Sequence, residues 1–145
     1  MEKKKIILFF FVLIGNICYS IEDIDYDNFF NNINYTLNRV RELCIYDLNP
    51  SSRDNHYITI EAYREHLMDI YISINEFILM TNEETSIKKL LSLINYEINE
   101  ILNTNNEEID SNRVVAKIDF IFSILLCVDV IKYYEPTMFE DSFKK

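Results

Sequence analysis

The chain has 145 residues, a length that fits one domain, and its formal net charge is -10 at pH 7. An acidic chain is a poor match for nucleic acid or for an anionic membrane, so we expect neither as a partner. One glycine and two prolines leave little material for tight turns, which favours an all-helical protein.

The N-terminus has the pattern of a secretory signal peptide. Lysines at positions 3–5 precede an unbroken apolar run at 6–14, and the small residues Cys18 and Ser20 follow it. We expect cleavage after Ser20, which leaves a single helical domain at residues 21–145 in a secreted protein. Removal of residues 1–20 takes away three lysines and one glutamate, so the formal charge becomes -12.

Residues 23–47 have the periodicity of a first helix. Its inward positions recur at steps of three and four: Phe29, Ile33, Leu37, Val40 and Cys44. Within it, Asn34-Tyr35-Thr36 matches the acceptor pattern for N-glycosylation. In a secreted chain this predicts a glycoprotein with Asn34 on its surface.

Turn-forming residues at 48–57, LNPSSRDNHY, predict a loop before the second helix. The loop is long enough for the second helix, expected at 59–80, to run either parallel or antiparallel to the first. Thr81 and Glu84 then form a capping box, which predicts a break and a third helix that extends to about residue 103.

The polar stretch NTNNEE at 103–108 predicts a connector to a fourth helix, with Asp110 or Ser111 as its cap. Pro136 is expected to end that helix. In the tail beyond it, apolar side chains are expected to pack back: Met138, Phe139 and Phe143.

Residues 113–134, RVVAKIDFIFSILLCVDVIKYY, are apolar on nearly every side. A helix that is apolar all round must be covered all round, so we expect the other helices to form its coat. Asp119 and Asp129 interrupt it, and the uncharged run at 120–128 is far shorter than the about 20 residues that a bilayer requires. The sequence therefore predicts no stable membrane insertion and an all-α four-helix bundle with a central hydrophobic C-terminal helix. A cytokine-like bundle and other compact all-α domains both allow this arrangement.

Asp119 interrupts a strongly apolar face near the start of this helix. A carboxylate buried there needs a partner to offset its desolvation. We expect either an ion pair or simple exposure, and the candidate cations are Arg39, Arg64 and Lys117. The alternative is that Asp119 is a specificity residue at a partner interface.

Cys44 and Cys127 are the cysteines outside the signal peptide, and secretion would permit a disulfide. Cys44 lies near the end of the first helix, whereas Cys127 lies about 24 Å along the fourth. If the helices alternate in direction, the two sulfur atoms lie at opposite ends and no bond can form. If the first two helices run parallel, the bond becomes feasible. We expect free, buried cysteines.

The sequence lacks the patterns of catalysis and of metal binding. His56 and His66 have no second His or Cys at ligand spacing, and Asp119 and Asp129 lie about 15 Å apart along the helix axis. A chain without glycine after cleavage has no glycine-rich phosphate loop. We therefore expect no enzyme, no metal and no cofactor.

Residues 113–122, RVVAKIDFIF, resemble the closing-helix signature of interleukin-10 family cytokines. Arg113 matches its basic position, Ala116 its small position, and Ile118-Asp119-Phe120-Ile121 its core. Lys117 stands where the family usually has an acidic residue, and the family's paired cysteines are missing. The resemblance implies a secreted ligand or decoy for class II cytokine receptors, and a viral immunomodulator, since large AT-rich DNA viruses carry captured members.

Two functions follow from these observations. The first is a secreted helical interaction protein that binds a protein receptor through helix faces, without catalysis. The alternative is a secreted carrier whose aromatic-rich bundle encloses a small apolar ligand, because the chain has 10 tyrosines and 10 phenylalanines. The oligomeric state is left open.

Overall fold

The computed structural model describes residues 25–49, 56–81 and 85–143. Across these three ranges the chain forms five α-helices and no strand, which confirms the all-helical prediction. The predicted signal peptide and its cleavage site lie outside the described residues. By its internal contacts the chain divides into two compact units, Met1–Asn32 and Ile33–Lys145.

Helix α1, Tyr26–Asp47, begins in the first unit and continues into the second. In the first unit the Asp25 carboxylate accepts a hydrogen bond from the Asn28 backbone N–H at 3.0 Å, which satisfies a free amide of the first turn. In the second unit the predicted inward positions are buried: Ile33, Leu37, Val40 and Cys44.

Helix α2, His56–Met80, begins inside the stretch for which the sequence predicted a loop. Its inner face buries Ile60, Tyr63, Leu67, Ile70, Ile74 and Phe77. At its end the Thr81 hydroxyl donates to the Ile78 carbonyl oxygen at 2.8 Å. Thr81 therefore closes α2 and does not open the next helix.

Helix α3, Ser86–Leu102, begins at a different cap from the predicted one. The Thr85 hydroxyl accepts a hydrogen bond from the Lys88 backbone N–H at 3.3 Å, so Thr85 is the N-cap. The capping-box prediction for Thr81 is wrong, and Glu84 lies outside the described residues. The position of the break between α2 and α3 was nevertheless predicted to within a few residues.

Helix α4, Ser111–Tyr134, begins as predicted at an Asp110 cap, whose carboxylate accepts from the Asn112 N–H at 2.9 Å. Pro136 ends α4 and also opens a short helix α5, Pro136–Asp141, which the sequence did not predict. Phe139 and Phe143 pack back as expected, and the Phe143 ring lies 5.1 Å from that of Phe77. Met138 remains 39% exposed.

The long helices alternate in direction, because the starts of α2 and α4 meet the ends of α1 and α3. Asp47, at the end of α1, bonds His56 at the start of α2 and Ser111 at the start of α4. Arg64, near the start of α2, donates to the carbonyl oxygens of Leu102 and Thr104 at the end of α3. Helix α3 packs against both α2 and α4.

Candidate interaction surfaces

Helix α4 is covered on one side only. Its inner face buries Val114, Ile118, Ile121, Ile124, Leu125 and Val128. Its outer face exposes large apolar side chains, among them Phe120 at 47%, Leu126 at 63% and Val130 at 48%. The prediction that the other helices cover α4 on every side is therefore wrong, and a contiguous apolar surface remains in contact with solvent.

Six residues of this outer face form one stripe along the helix. They follow one another at steps of four, three, four, three and four, and all are exposed: Ala116, Phe120, Ser123, Cys127, Val130 and Tyr134. This alternation keeps side chains on one narrow stripe, as at the contact line of a coiled coil. We call these six residues the α4 seam.

Asp119 lies beside the α4 seam and not in the core. Its side chain is 51% exposed, and the Arg41 Nε atom donates to its Oδ1 atom at 2.8 Å. This ion pair joins α1 to α4. Because both side chains are exposed to solvent, the ion pair stabilises the folded protein by about 0 to 1 kcal/mol.

The three cations predicted to pair with Asp119 have other partners. Arg39 pairs with Glu42 at 3.1 Å, and Lys117 pairs with Glu97 at 2.5 Å. Arg64 donates to the carbonyl oxygens at the end of α3. The prediction of an ion pair is thus correct in kind but wrong in partner, because sequence periodicity does not show which helix faces α4 at this level.

A second exposed surface lies on the outer face of α2. Four large apolar side chains are exposed there: Ile58 at 69%, Met68 at 44%, Ile72 at 49% and Leu79 at 75%. Four carboxylates lie among them and are also exposed: Glu61, Glu65, Asp69 and Glu76. Within the described ranges none of these four carboxylates forms an ion pair. We call these eight residues the α2 acidic face.

The α2 acidic face is continuous because its residues share one side of the helix. Most of them follow one another at steps of three or four, which is the spacing of neighbours on a helix surface. From Ile58 to Leu79 the face extends about 32 Å at 1.5 Å per residue. Apolar and negatively charged side chains therefore alternate over nearly the whole length of α2.

A polar cluster joins three helices at the Asp47 end of the protein. The Asp47 Oδ1 atom lies 2.7 Å from His56 Nδ1, and the Asp47 Oδ2 atom accepts from the Ser111 hydroxyl at 2.5 Å. Ser, His and Asp are the residue types of a hydrolytic triad, but here His56 and Ser111 both bond the carboxylate and not each other. In a triad the nucleophile contacts its base, whereas here Ser111 and His56 each contact Asp47, which links three helices.

Two ionisable side chains are buried beside this cluster. Burial, with a smaller contribution from the negative charge of Asp47, raises the pKa of the Cys44 thiol from 9.0 to about 12. Burial also raises the pKa of the Tyr63 phenol, and the neighbouring Cys44 adds to the shift. Both groups are therefore neutral at physiological pH.

Cys44 and Cys127 are free in the structure. Cys44 is buried in α1, but Cys127 is exposed in the α4 seam, so the expectation that both are buried is wrong for Cys127. The alternating helix directions place Cys44 near the Asp47 end and Cys127 about 24 Å along α4 from that end. Asn34, the predicted glycosylation site, lies within α1 and is partly exposed.

Three cavities along the described chain are either small or open. A pocket of about 20 Å³ lies between the end of α3 and the start of α4, lined partly by Ile109, Val114 and Lys117. This volume matches about one water molecule. Two open clefts of about 650 and 640 Å³ adjoin Arg64 and Leu102; the lining of the first is mainly polar, and that of the second is a mixture of polar and apolar groups. Neither has the enclosed apolar character that a carrier of an apolar ligand needs.

Within the described residues there is no group of three or more His, Cys, Asp or Glu side chains that could hold a metal ion. None of the helices there is long and apolar enough to cross a bilayer.

Comparison of the chain with protein-family models, curated proteins and solved structures finds no match.

The sequence contained a signal for both exposed surfaces. The steps of four and three in the α4 seam, and the alternation of acidic and apolar residues opposite the inner face of α2, are visible in the printed chain. The α4 seam was missed because α4 is apolar on nearly every side, so that its outer residues were also expected to be covered. Only the burial of each side chain distinguishes an apolar residue of the core from one on the outer face, and burial depends on which helices are neighbours.

Proposed function

We propose that the chain is a secreted four-helix bundle, formed by α1 to α4, that binds a protein receptor through the α2 acidic face and catalyses no reaction. The observation that carries the proposal is the set of four carboxylates on α2 that form no ion pair with any described residue and lie among four exposed apolar side chains. Surfaces that recognise proteins combine apolar contact area with charges that select the partner.

The complementary partner surface is basic with an apolar centre. Lys or Arg side chains at its rim would meet the carboxylates of α2, while its apolar centre would cover Met68 and Ile72. The net charge, -10 for the full chain and -12 without residues 1–20, favours encounter with a basic partner at long range. At physiological ionic strength the screening length is about 8 Å, so the carboxylates of α2 itself carry the short-range selection.

A class II cytokine receptor is the first partner to test, because residues 113–122 resemble the closing helix of interleukin-10 family cytokines. The directions of the helices, however, are a reason to test receptors of other classes as well. Growth hormone-type cytokine bundles run up-up-down-down with two long crossover connections, whereas α1 to α4 alternate in direction over short connections. We therefore propose a receptor ligand or decoy whose receptor class is not limited to that family.

The test is binding of the secreted protein to a panel of purified receptor ectodomains that includes the class II cytokine receptors. The variant carries Glu61→Gln, Glu65→Gln and Glu76→Gln. We expect it to lose about tenfold or more in affinity for the ectodomain that binds the native protein, which corresponds to about 1.4 kcal/mol.

The matched control carries Glu107→Gln, Glu108→Gln and Glu140→Gln, which are exposed carboxylates outside α2. Both variants change the net charge by the same amount, so only a local role of the α2 acidic face separates them. We expect the control to bind within about twofold of the native protein. Absence of binding to every ectodomain, or equal losses in the two variants, would overturn the proposal.

A further inference from the structure

We propose that two copies of this chain associate through their α4 seams, with the two α4 helices antiparallel. The six residues of the seam are exposed and lie on a face of α4 that no described helix covers. This surface is separate from the α2 acidic face, so the inference goes beyond the proposed receptor binding and does not depend on it.

The spacing of the α4 seam is the same in both directions along the helix. Its steps of four, three, four, three and four are symmetrical about Leu125. A second copy that runs in the opposite direction therefore places every seam residue against another seam residue. A two-fold symmetric interface requires this kind of self-complementary surface.

The antiparallel register also matches side-chain volumes. Each layer pairs a smaller side chain with a larger one: Ala116 with Tyr134, Val130 with Phe120, and Ser123 with Cys127. Two large aromatic side chains never meet in one layer. In a parallel arrangement each seam residue would face the same residue of the other copy. Two Phe120 rings would then meet in one layer, and two Tyr134 rings in another.

Charge complementarity selects the same direction. Arg113, near the start of α4, and Glu135, directly after its end, are both exposed and belong to no ion pair within the described ranges. In the antiparallel register Arg113 of one copy faces the C-terminal end of α4 in the other copy, which Glu135 directly follows. A parallel copy would place Arg113 against Arg113 and Glu135 against Glu135.

The size of the contact predicts a weak dimer. The α4 seam extends about 27 Å at 1.5 Å per residue, and a helix is about 10 Å wide. A face of these dimensions is smaller than the about 800 Å² per partner of a standard stable interface. The copies also repel, because each has a formal net charge of -10 as the full chain and of -12 without residues 1–20. The dimer should therefore dissociate on dilution and become tighter as added salt screens that repulsion.

The register can be tested with a cysteine at position 123, because Cys127 of the other copy lies opposite it. In the secreted protein with Ser123→Cys, mild oxidation should yield a disulfide-linked dimer on a non-reducing gel. The matched control is Ser92→Cys, which makes the same substitution at an exposed position of α3. The native protein, in which Cys127 faces Ser123, and the Ser92→Cys control should both stay largely monomeric on the gel.

Three results would overturn the proposal. One is equal cross-linking of Ser123→Cys and Ser92→Cys, which indicates random collision. Another is efficient cross-linking of the native protein through Cys127 alone, which indicates a parallel register. The third is a monomeric mass at every concentration in sedimentation equilibrium. This result would overturn the proposed dimer even if the α4 seam were found to bind another protein.

A second variant tests the contact without any disulfide. Val130→Glu adds a charge at the α4 seam, and Leu93→Glu adds the same charge at an exposed position of α3. Both positions are exposed, so circular dichroism should show that both variants fold. We expect Val130→Glu to weaken dimerisation by about tenfold or more, whereas Leu93→Glu should leave the dissociation constant within about twofold. Equal effects of the two variants would contradict the proposed contact.

Discussion

The Ser111 hydroxyl, at the start of α4, donates a hydrogen bond to the Asp47 carboxylate, at the end of α1, over 2.5 Å. The two residues are 64 positions apart in the chain, and the second oxygen of Asp47 bonds His56. One side chain thus holds the ends of three helices together. Because the Asp47 side chain is only 4% exposed, its hydrogen bonds are largely shielded from water.

Loss of Asp47 should destabilise the protein more than loss of Ser111. Ser111→Ala removes one hydrogen bond and should lower the free energy of unfolding by about 1 kcal/mol. Asp47→Ala leaves both His56 and Ser111 without their partner and should lower it by about 2 to 4 kcal/mol. Denaturant unfolding of the two variants, and of the exposed control Ser92→Ala, measures this difference. An Asp47→Ala effect no larger than that of the control would contradict the role of Asp47.

The protein should lose stability at alkaline pH because of Cys44. In the unfolded chain this thiol loses its proton near pH 9.0, whereas burial raises its pKa in the folded protein to about 12. Above pH 9 the unfolded state binds fewer protons, so the free energy of unfolding falls by about 1.4 kcal/mol per pH unit for this one group. The raised pKa of Tyr63 adds a second fall that begins near pH 10.

Cys44→Ala isolates the first of these two contributions. The variant loses stability at neutral pH because it leaves a small cavity, but its free energy of unfolding should remain constant up to about pH 10. Denaturant unfolding at pH 8, 9, 10 and 11 gives the two slopes. The same slope in both proteins between pH 9 and 10 would show that Cys44 is not the group responsible.

The two free cysteines should differ strongly in reactivity. Cys127 is exposed, whereas Cys44 is buried and its raised pKa keeps it in the unreactive thiol form. A thiol reagent at pH 8 should modify one cysteine of the folded protein rapidly and the second only after denaturation. Peptide mapping by mass spectrometry identifies the residue. Modification of Cys44 before Cys127 would contradict the structure, and absence of both free thiols after unfolding would indicate a disulfide.

Asp119 and its neighbour Ile118 should behave in opposite ways. The ion pair of Asp119 with Arg41 is half exposed, so Asp119→Asn should lower the free energy of unfolding by less than about 1 kcal/mol. Ile118 is fully buried, and Ile118→Ala should lower it by about 2 to 5 kcal/mol. Thermal and denaturant unfolding of the two variants compare them directly. A larger effect at Asp119 would contradict the exposed position of its carboxylate.

The periodicity of the sequence was sufficient to predict the four long helices and most of the inner faces of α1, α2 and α3. Apolar residues at steps of three and four identify a helix face without any knowledge of its neighbours, because these steps follow from the geometry of the helix itself. The Asp110 cap was predictable for a similar reason, since it bonds an amide only two residues away. The Thr85 cap was missed because Thr81, four residues earlier, is followed by Glu84 at the spacing of a capping box.

By itself, the sequence determined the helical class and most of the inward residues of α1, α2 and α3, because the periodicity of a helix face is set by residues close in the chain. Tertiary structure alone decided that α4 is covered on one side, that Asp119 pairs with Arg41, and that Asp47 joins three helices. These features depend on which helices become neighbours, and a helix that is apolar all round gives no indication of which side will be covered. The two exposed surfaces on α2 and α4 follow from that choice of neighbours.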